Sequence, residues 1–212
     1  MTLKNKYIHD LIKQGENQQL DFKFEIADSK KIARTLSAFA NTDGGTLLIG
    51  VKDNGSITGI NSAEEYHMLE AAANMYCRPE INFKAKEWNI DGKRILEVHI
   101  PKDPFVPYLA PDQKGNYKAF IRVDDQNILA NYILLEVWKA KKNKVEVSIN
   151  YTQEYTILFE LLNKHGQITL SSLCKTTSLT KTTAKKILIK LILLQQIEII
   201  FSDDRIFYQL KD

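Results

Sequence analysis

Hydrophobic positions change period twice between Ile32 and Gly55. Ile32, Leu36, Phe39 and Ala40 recur at helical spacing, with Ala33 and Ala38 as small neighbours, and predict an amphipathic helix. Asn41-Thr42-Asp43-Gly44-Gly45 ends it, because paired glycines accept left-handed backbone where a Cβ would clash. Thr46-Leu47-Leu48-Ile49-Gly50-Val51 is then almost continuously apolar, as expected of a strand covered on both faces. Lys52-Asp53-Asn54-Gly55 carries an Asn-Gly hairpin signal, with Ser56 to Ile60 as the expected return strand. Helix, glycine turn and buried strand predict the core of an α+β domain.

The flanking segments extend this pattern. Tyr7 to Lys13 predicts a short helix ended by Gly15. Leu20-Asp21-Phe22-Lys23-Phe24 alternates, predicting a half-buried strand with Asp21 and Lys23 together on the non-core face. Asp28 or Ser29 is placed to cap the helix through Phe39, and Ser62 with Glu65 opens another that reaches Cys77, before Pro79. Ile81 to Trp88 and Lys93 to Ile100 read as strands joined at Asp91-Gly92. Pro101, Pro104 and Pro107 predict an extended loop, Lys118 to Val123 a strand, and Ile128 to Lys142 a helix with a basic tail. That tail places a domain boundary near Lys144, giving domains 1–144 and 145–212.

The last third has a different pattern. Helices are expected from Gln153 to Lys164, after Thr169, and from Thr180 to about Gln195, followed by strands Glu198 to Phe201 and Arg205 to Leu210. Three helices and a β-hairpin predict a winged helix-turn-helix. In its third helix Ala184, Ile187, Leu188, Leu191 and Leu194 form the expected buried stripe, leaving Lys181, Thr182, Lys185 and Ile189 outward.

Composition narrows the class. Of 212 residues, 44% are hydrophobic and 26% charged, as in ordinary soluble domains, and no apolar run is long enough for a membrane helix. Residues 1–13 lack a signal-peptide pattern, and Cys77 and Cys174 lie far apart, so a reduced cytoplasmic protein without disulfides is expected. The net charge of +3 is small. Its distribution says more: between Glu160 and Glu198 there is no acidic residue, whereas Lys164, Lys175, Lys181, Lys185, Lys186 and Lys190 fall there. A basic face, including Arg205 in the wing, points to nucleic-acid phosphates. Lysine and threonine read bases poorly, so sequence selectivity should be modest.

Glu16, Asp21 and Asp53 stand near strand ends, where carboxylates can hold Mg²⁺ or Mn²⁺ and orient a phosphodiester, with Lys23 beside them for a phosphate. Sharing one cation requires their oxygens to converge within roughly 4–6 Å. No phosphate-loop motif occurs, and His9, His67, His99 and His165 lack metal or triad spacing.

Glu16 with Asp21-Phe22-Lys23, then Ala38-Phe39-Ala40-Asn41-Thr42-Asp43-Gly44-Gly45, Gly50-Val51-Lys52-Asp53-Asn54-Gly55, Pro107-Tyr108 and Phe120-Ile121-Arg122-Val123 together resemble the Schlafen AlbA-like domain. The resemblance covers residues 10–140 and implies a mixed-sheet domain regarded as DNA-binding, often fused to a C-terminal winged helix. It implies foremost a dimeric, nucleic-acid-binding transcriptional regulator, with DNA favoured over RNA and no cofactor. Alternatives are a metal-dependent ribonuclease, with Glu16, Asp21 and Asp53 carried over as its carboxylates, and an oligomerisation module without nucleic-acid affinity. Asp21 replaces the family's Glu. The side chain is one methylene shorter, a retreat beyond the ~0.2 Å tolerance of metal–ligand distances.

Overall fold

Asp28 accepts a hydrogen bond from Lys30 N–H and starts the helix that the apolar spacing predicts, Ser29–Asn41. In this computed structural model, residues 3–60, 63–103, 107–148, 150, 152–202 and 205–211 are described; the expected capping residue Ser62 and the loop residue Pro104 lie outside them. The chain divides into two compact units, Met1–Ala130 and Asn131–Asp212. This division precedes the basic tail near Lys144.

The first unit runs α1 (Leu3–Lys13), β1 (Leu20–Lys23), α2 (Ser29–Asn41), β2 (Gly45–Ile49), α3 (Glu64–Asn74), β3 (Lys84–Ile90), β4 (Lys93–Ile100), β5 (Leu109–Pro111), β6 (Tyr117–Val123) and β7 (Gln126–Leu129). One mixed sheet has the order β1-β2-β4-β3, with only β1 and β2 parallel; a second, antiparallel sheet has the order β5-β6-β7. Apolar residues occupy both faces of β2. Leu48 joins Ile8, Phe22 and Ile95 in one core, and Leu47 and Ile49 join Phe39, Leu69 and Val98 in the other.

Several local expectations shift. The Asn-Gly turn forms, but the return segment makes only the isolated bridge Val51–Ile57, not a ladder. Gly50, at φ +95°, lies so close to the returning chain that a Cβ there would stand 2.9 Å from the Gly59 carbonyl carbon. The strand partners of β2 are instead β1 and β4. The helix expected from Ile128 begins later, because residues 126–129 pair with β6 as β7. Asn131 then caps the next helix, accepting from Leu134 N–H at 2.7 Å.

The second unit contains that helix, α4 (Tyr132–Lys142), followed by α5 (Gln153–His165), β8 (Gln167–Ile168), α6 (Leu170–Thr176), α7 (Lys181–Leu193), β9 (Ile197–Ser202) and β10 (Arg205–Leu210). Its antiparallel sheet has the order β8-β10-β9. Thr169 and Thr180 cap α6 and α7 by accepting from Ser172 and Thr183 N–H. Ile133 and Val137 of α4 enter the same core as Leu158, Leu188 and Tyr208, so this helix belongs with the second unit despite its expected place in the first.

Candidate functional site

The strand β1 alternates as its sequence predicts, and Asp21 and Lys23 share a face. That face is largely covered, with Asp21 buried and Lys23 half-buried. Leu20 and Phe22 pack towards α1, while the opposite side of the sheet edge is closed by β6, which delivers Arg122 onto Asp21. Asp21 is 3% exposed and Arg122 1%. Their Oδ1–Nη2 distance is 3.0 Å. The guanidinium also donates to the Asn17 and Leu20 carbonyls and to Asn127 Oδ1. A fork with every arm engaged holds the loop before β1 against β6.

The second oxygen of Asp21 meets Lys23. Asp21 Oδ2 lies 2.7 Å from Lys23 Nζ, an ionic contact without hydrogen-bond alignment, and Nζ also donates to the Phe22 carbonyl at 2.6 Å. Glu16 completes the group: its Oε1 accepts from Phe22 N–H at 2.8 Å and stands 3.8 Å from Lys23 Nζ. Burial, aided by the negative charge of Asp21, raises the Glu16 carboxyl above its usual range against the opposing pull of Phe22 N–H and Lys23.

These residues line a cleft of about 790 Å³ that Asp53 also borders. The cleft therefore gathers Glu16, Asp21, Lys23 and Asp53, but it joins the first three as an ion-paired cluster and does not build a metal triad. Among the described residues, no three His, Cys, Asp or Glu side chains are arranged to hold a metal ion. Two protein cations already sit on the two oxygens of Asp21, where a divalent ion would need to bind. The donor set does not fit Mg²⁺ or Mn²⁺. Nor is Lys23 free to meet a phosphate, as its position beside Asp21 in the sequence suggests.

Other cations face the cleft unforeseen: Lys31 and Arg34 from α2, and Lys114 and Lys118 from the β5–β6 hairpin. The signal for the first two was the polar side of α2, where residues three apart are neighbours. Arg122 left a clearer trace, a cation within the apolar run Phe120-Ile121-Arg122-Val123. Such a position calls for a buried acceptor.

In the second unit, Lys181, Thr182, Lys186 and Arg205 are exposed, as expected. Lys185 is half-buried, with its ammonium 4.5 Å from the Tyr132 ring centroid. Ile189 packs against the core, and Leu194, expected in the buried stripe, caps the end of α7 at 37% exposure. The packing of α4 on α7 rotates the solvent face to Thr182, Lys186 and Lys190.

The sequence profile of the Schlafen, AlbA_2 family matches residues 16–131, more than half the chain. The chain belongs to this family. The match includes every residue bordering the cleft, so the ion-paired cluster lies within the Schlafen AlbA_2 domain. The chain is also similar to solved structures. The DIP2311 protein of Corynebacterium diphtheriae aligns at 19% identity and TM-score 0.47, over 65% of this chain and 27% of that one. The N-terminal domain of a RecG-related protein from Nitrosomonas europaea aligns at 21% identity and TM-score 0.37, over 59% of this chain and 95% of that one. The chain thus spans under a third of DIP2311.

Proposed function

We propose that this Schlafen AlbA_2 protein binds nucleic acid as a transcriptional regulator, with its second unit acting on duplex DNA as a winged helix-turn-helix. In this assignment α6 and α7 form the helix-turn-helix and β9 and β10 the wing. One observation carries the proposal: Thr182, Lys186 and Lys190 form an exposed row at one-turn spacing on α7, within the acid-free stretch between Glu160 and Glu198. Such a row supplies phosphate contacts and little base readout. In the first unit, Lys31, Lys114 and Lys118 offer further cations at the cleft, where Asp21 is already paired with Lys23 and Arg122.

The test is binding of the full chain to labelled duplex DNA over a salt series. Each phosphate contact contributes about 0.9 to the slope of log affinity against log salt. Lys186→Glu with Lys190→Glu should weaken binding and flatten that slope by about 2. Salt-insensitive binding, or equal binding by the double variant, overturns the proposal. Absence of any nucleic-acid affinity alongside a stable assembly in light scattering favours an interaction module instead.

A further inference from the structure

A groove of about 620 Å³ in the second unit is distinct from the lysine row. Its volume falls within the ~300–1,000 Å³ range of small-ligand sites. Tyr132 at the start of α4 borders it with 54% of its surface exposed, beside Lys181 and Lys185 from α7, Arg205 from β10, and Ser171. No ion pair engages these three cations among the described residues. Asn131 also borders the groove and caps α4, its side chain accepting from Leu134 N–H. That cap sets the start of α4 and so places Tyr132, its first residue, at the groove beside the cations, although an exposed aromatic ring would be better buried if packing alone placed it.

Lys185 holds its ammonium over one face of the Tyr132 ring, 4.5 Å from the centroid, yet the side chain stays largely exposed. An exposed ring beside cations without ion-pair partners can take a base against the ring and a phosphate at its edge. Duplex DNA keeps its bases stacked internally and has no use for Tyr132. We propose that this groove binds an unpaired nucleotide, its base stacked on Tyr132 and its phosphate held by Lys181, Lys185 and Arg205. The ligand chemistry is a nucleobase joined to phosphate, supplied either by a free nucleotide or by one unit of a single strand. An acidic peptide would satisfy the cations but leave the ring unused. The proposal goes beyond duplex binding, which uses the separate face of Lys186 and Lys190.

The full chain should be titrated with ATP, with a labelled oligo-dT strand and with an oligoglutamate peptide. ATP or oligo-dT binding is expected, and whichever binds identifies the source; oligoglutamate should compete poorly. Tyr132→Ala should weaken nucleotide binding about tenfold, as loss of one stacked base does, while Tyr132→Phe retains it. Arg205→Gln should weaken it too. Duplex affinity and thermal unfolding should be unchanged by Tyr132→Ala. Failure of both nucleotide probes to bind, equal binding after Tyr132→Ala, or equal affinity for oligoglutamate overturns the proposal. Loss of duplex binding on Lys186→Glu with Lys190→Glu, with nucleotide binding retained, separates the two sites; loss of both together overturns the separate groove.

Discussion

Arg122 Nη2 lies 3.0 Å from Asp21 Oδ1, and neither side chain reaches solvent appreciably. Removing one member of a buried pair leaves the other charged and uncompensated, at a cost of about 3–5 kcal/mol. Arg122→Met should destabilise the first unit by that amount in urea unfolding, since it also strips donors from the Asn17 and Leu20 carbonyls. A loss below about 1 kcal/mol, the level of an exposed pair, would contradict this role.

Occupation of both Asp21 oxygens by Arg122 and Lys23 predicts indifference to divalent ions. A site saturated a hundredfold above its Kd stabilises the fold by about 2.7 kcal/mol, a shift of several degrees in Tm. Mg²⁺ and Mn²⁺ should produce no such shift in thermal unfolding of the wild-type chain. A saturable rise that Asp21→Asn abolishes would restore the metal triad.

The raised carboxyl of Glu16 has a defined consequence for pH dependence. A folded-state value above the unfolded one means that the fold favours the neutral acid. This contribution is fully present below the unfolded value and is lost as pH rises through the folded value. Glu16→Gln keeps an acceptor for Phe22 N–H but carries no charge. Its stability relative to wild type should therefore rise as pH climbs through the interval just above the ordinary 4.5. Parallel wild-type and variant curves across that interval would refute the shift.

Asn41 joins α2 to β6 and to Tyr108, the residue just before β5. Its amide donates to the Tyr108 and Phe120 carbonyls, and its oxygen accepts from Tyr108 N–H at 2.7 Å. Asn41→Ala leaves buried backbone groups unpaired and should cost about 2–3 kcal/mol in chemical denaturation.

The thiols should differ in reactivity. Burial pushes Cys77 up to about 12, whereas Cys174 is only half-buried. A thiol reagent near neutral pH should label Cys174 in the native chain and reach Cys77 only on unfolding. Equal labelling rates would show that the pocket around Cys77 opens readily.

Sequence periodicity determined the elements whose signals are local: α2 and its glycine stop, the apolar β2, the β3–β4 turn at Asp91-Gly92, and the threonine caps of α6 and α7. Caps, turns and apolar spacing act within a few residues, so a single sequence carries them. It also marked Glu16, Asp21, Lys23 and Asp53, which border one cleft. Their chemistry was decided by tertiary structure. The partner of Asp21 lies 101 residues away on β6, and no local pattern records which carboxylate an arginine will meet. The same limit applies to α7. Its own periodicity leaves Lys185 and Ile189 outward, but the packing of α4 places Lys185 over Tyr132 and leaves Lys186 and Lys190 on the solvent side. An element's internal spacing sets which residues share a face; only the elements packed against it decide which face meets water.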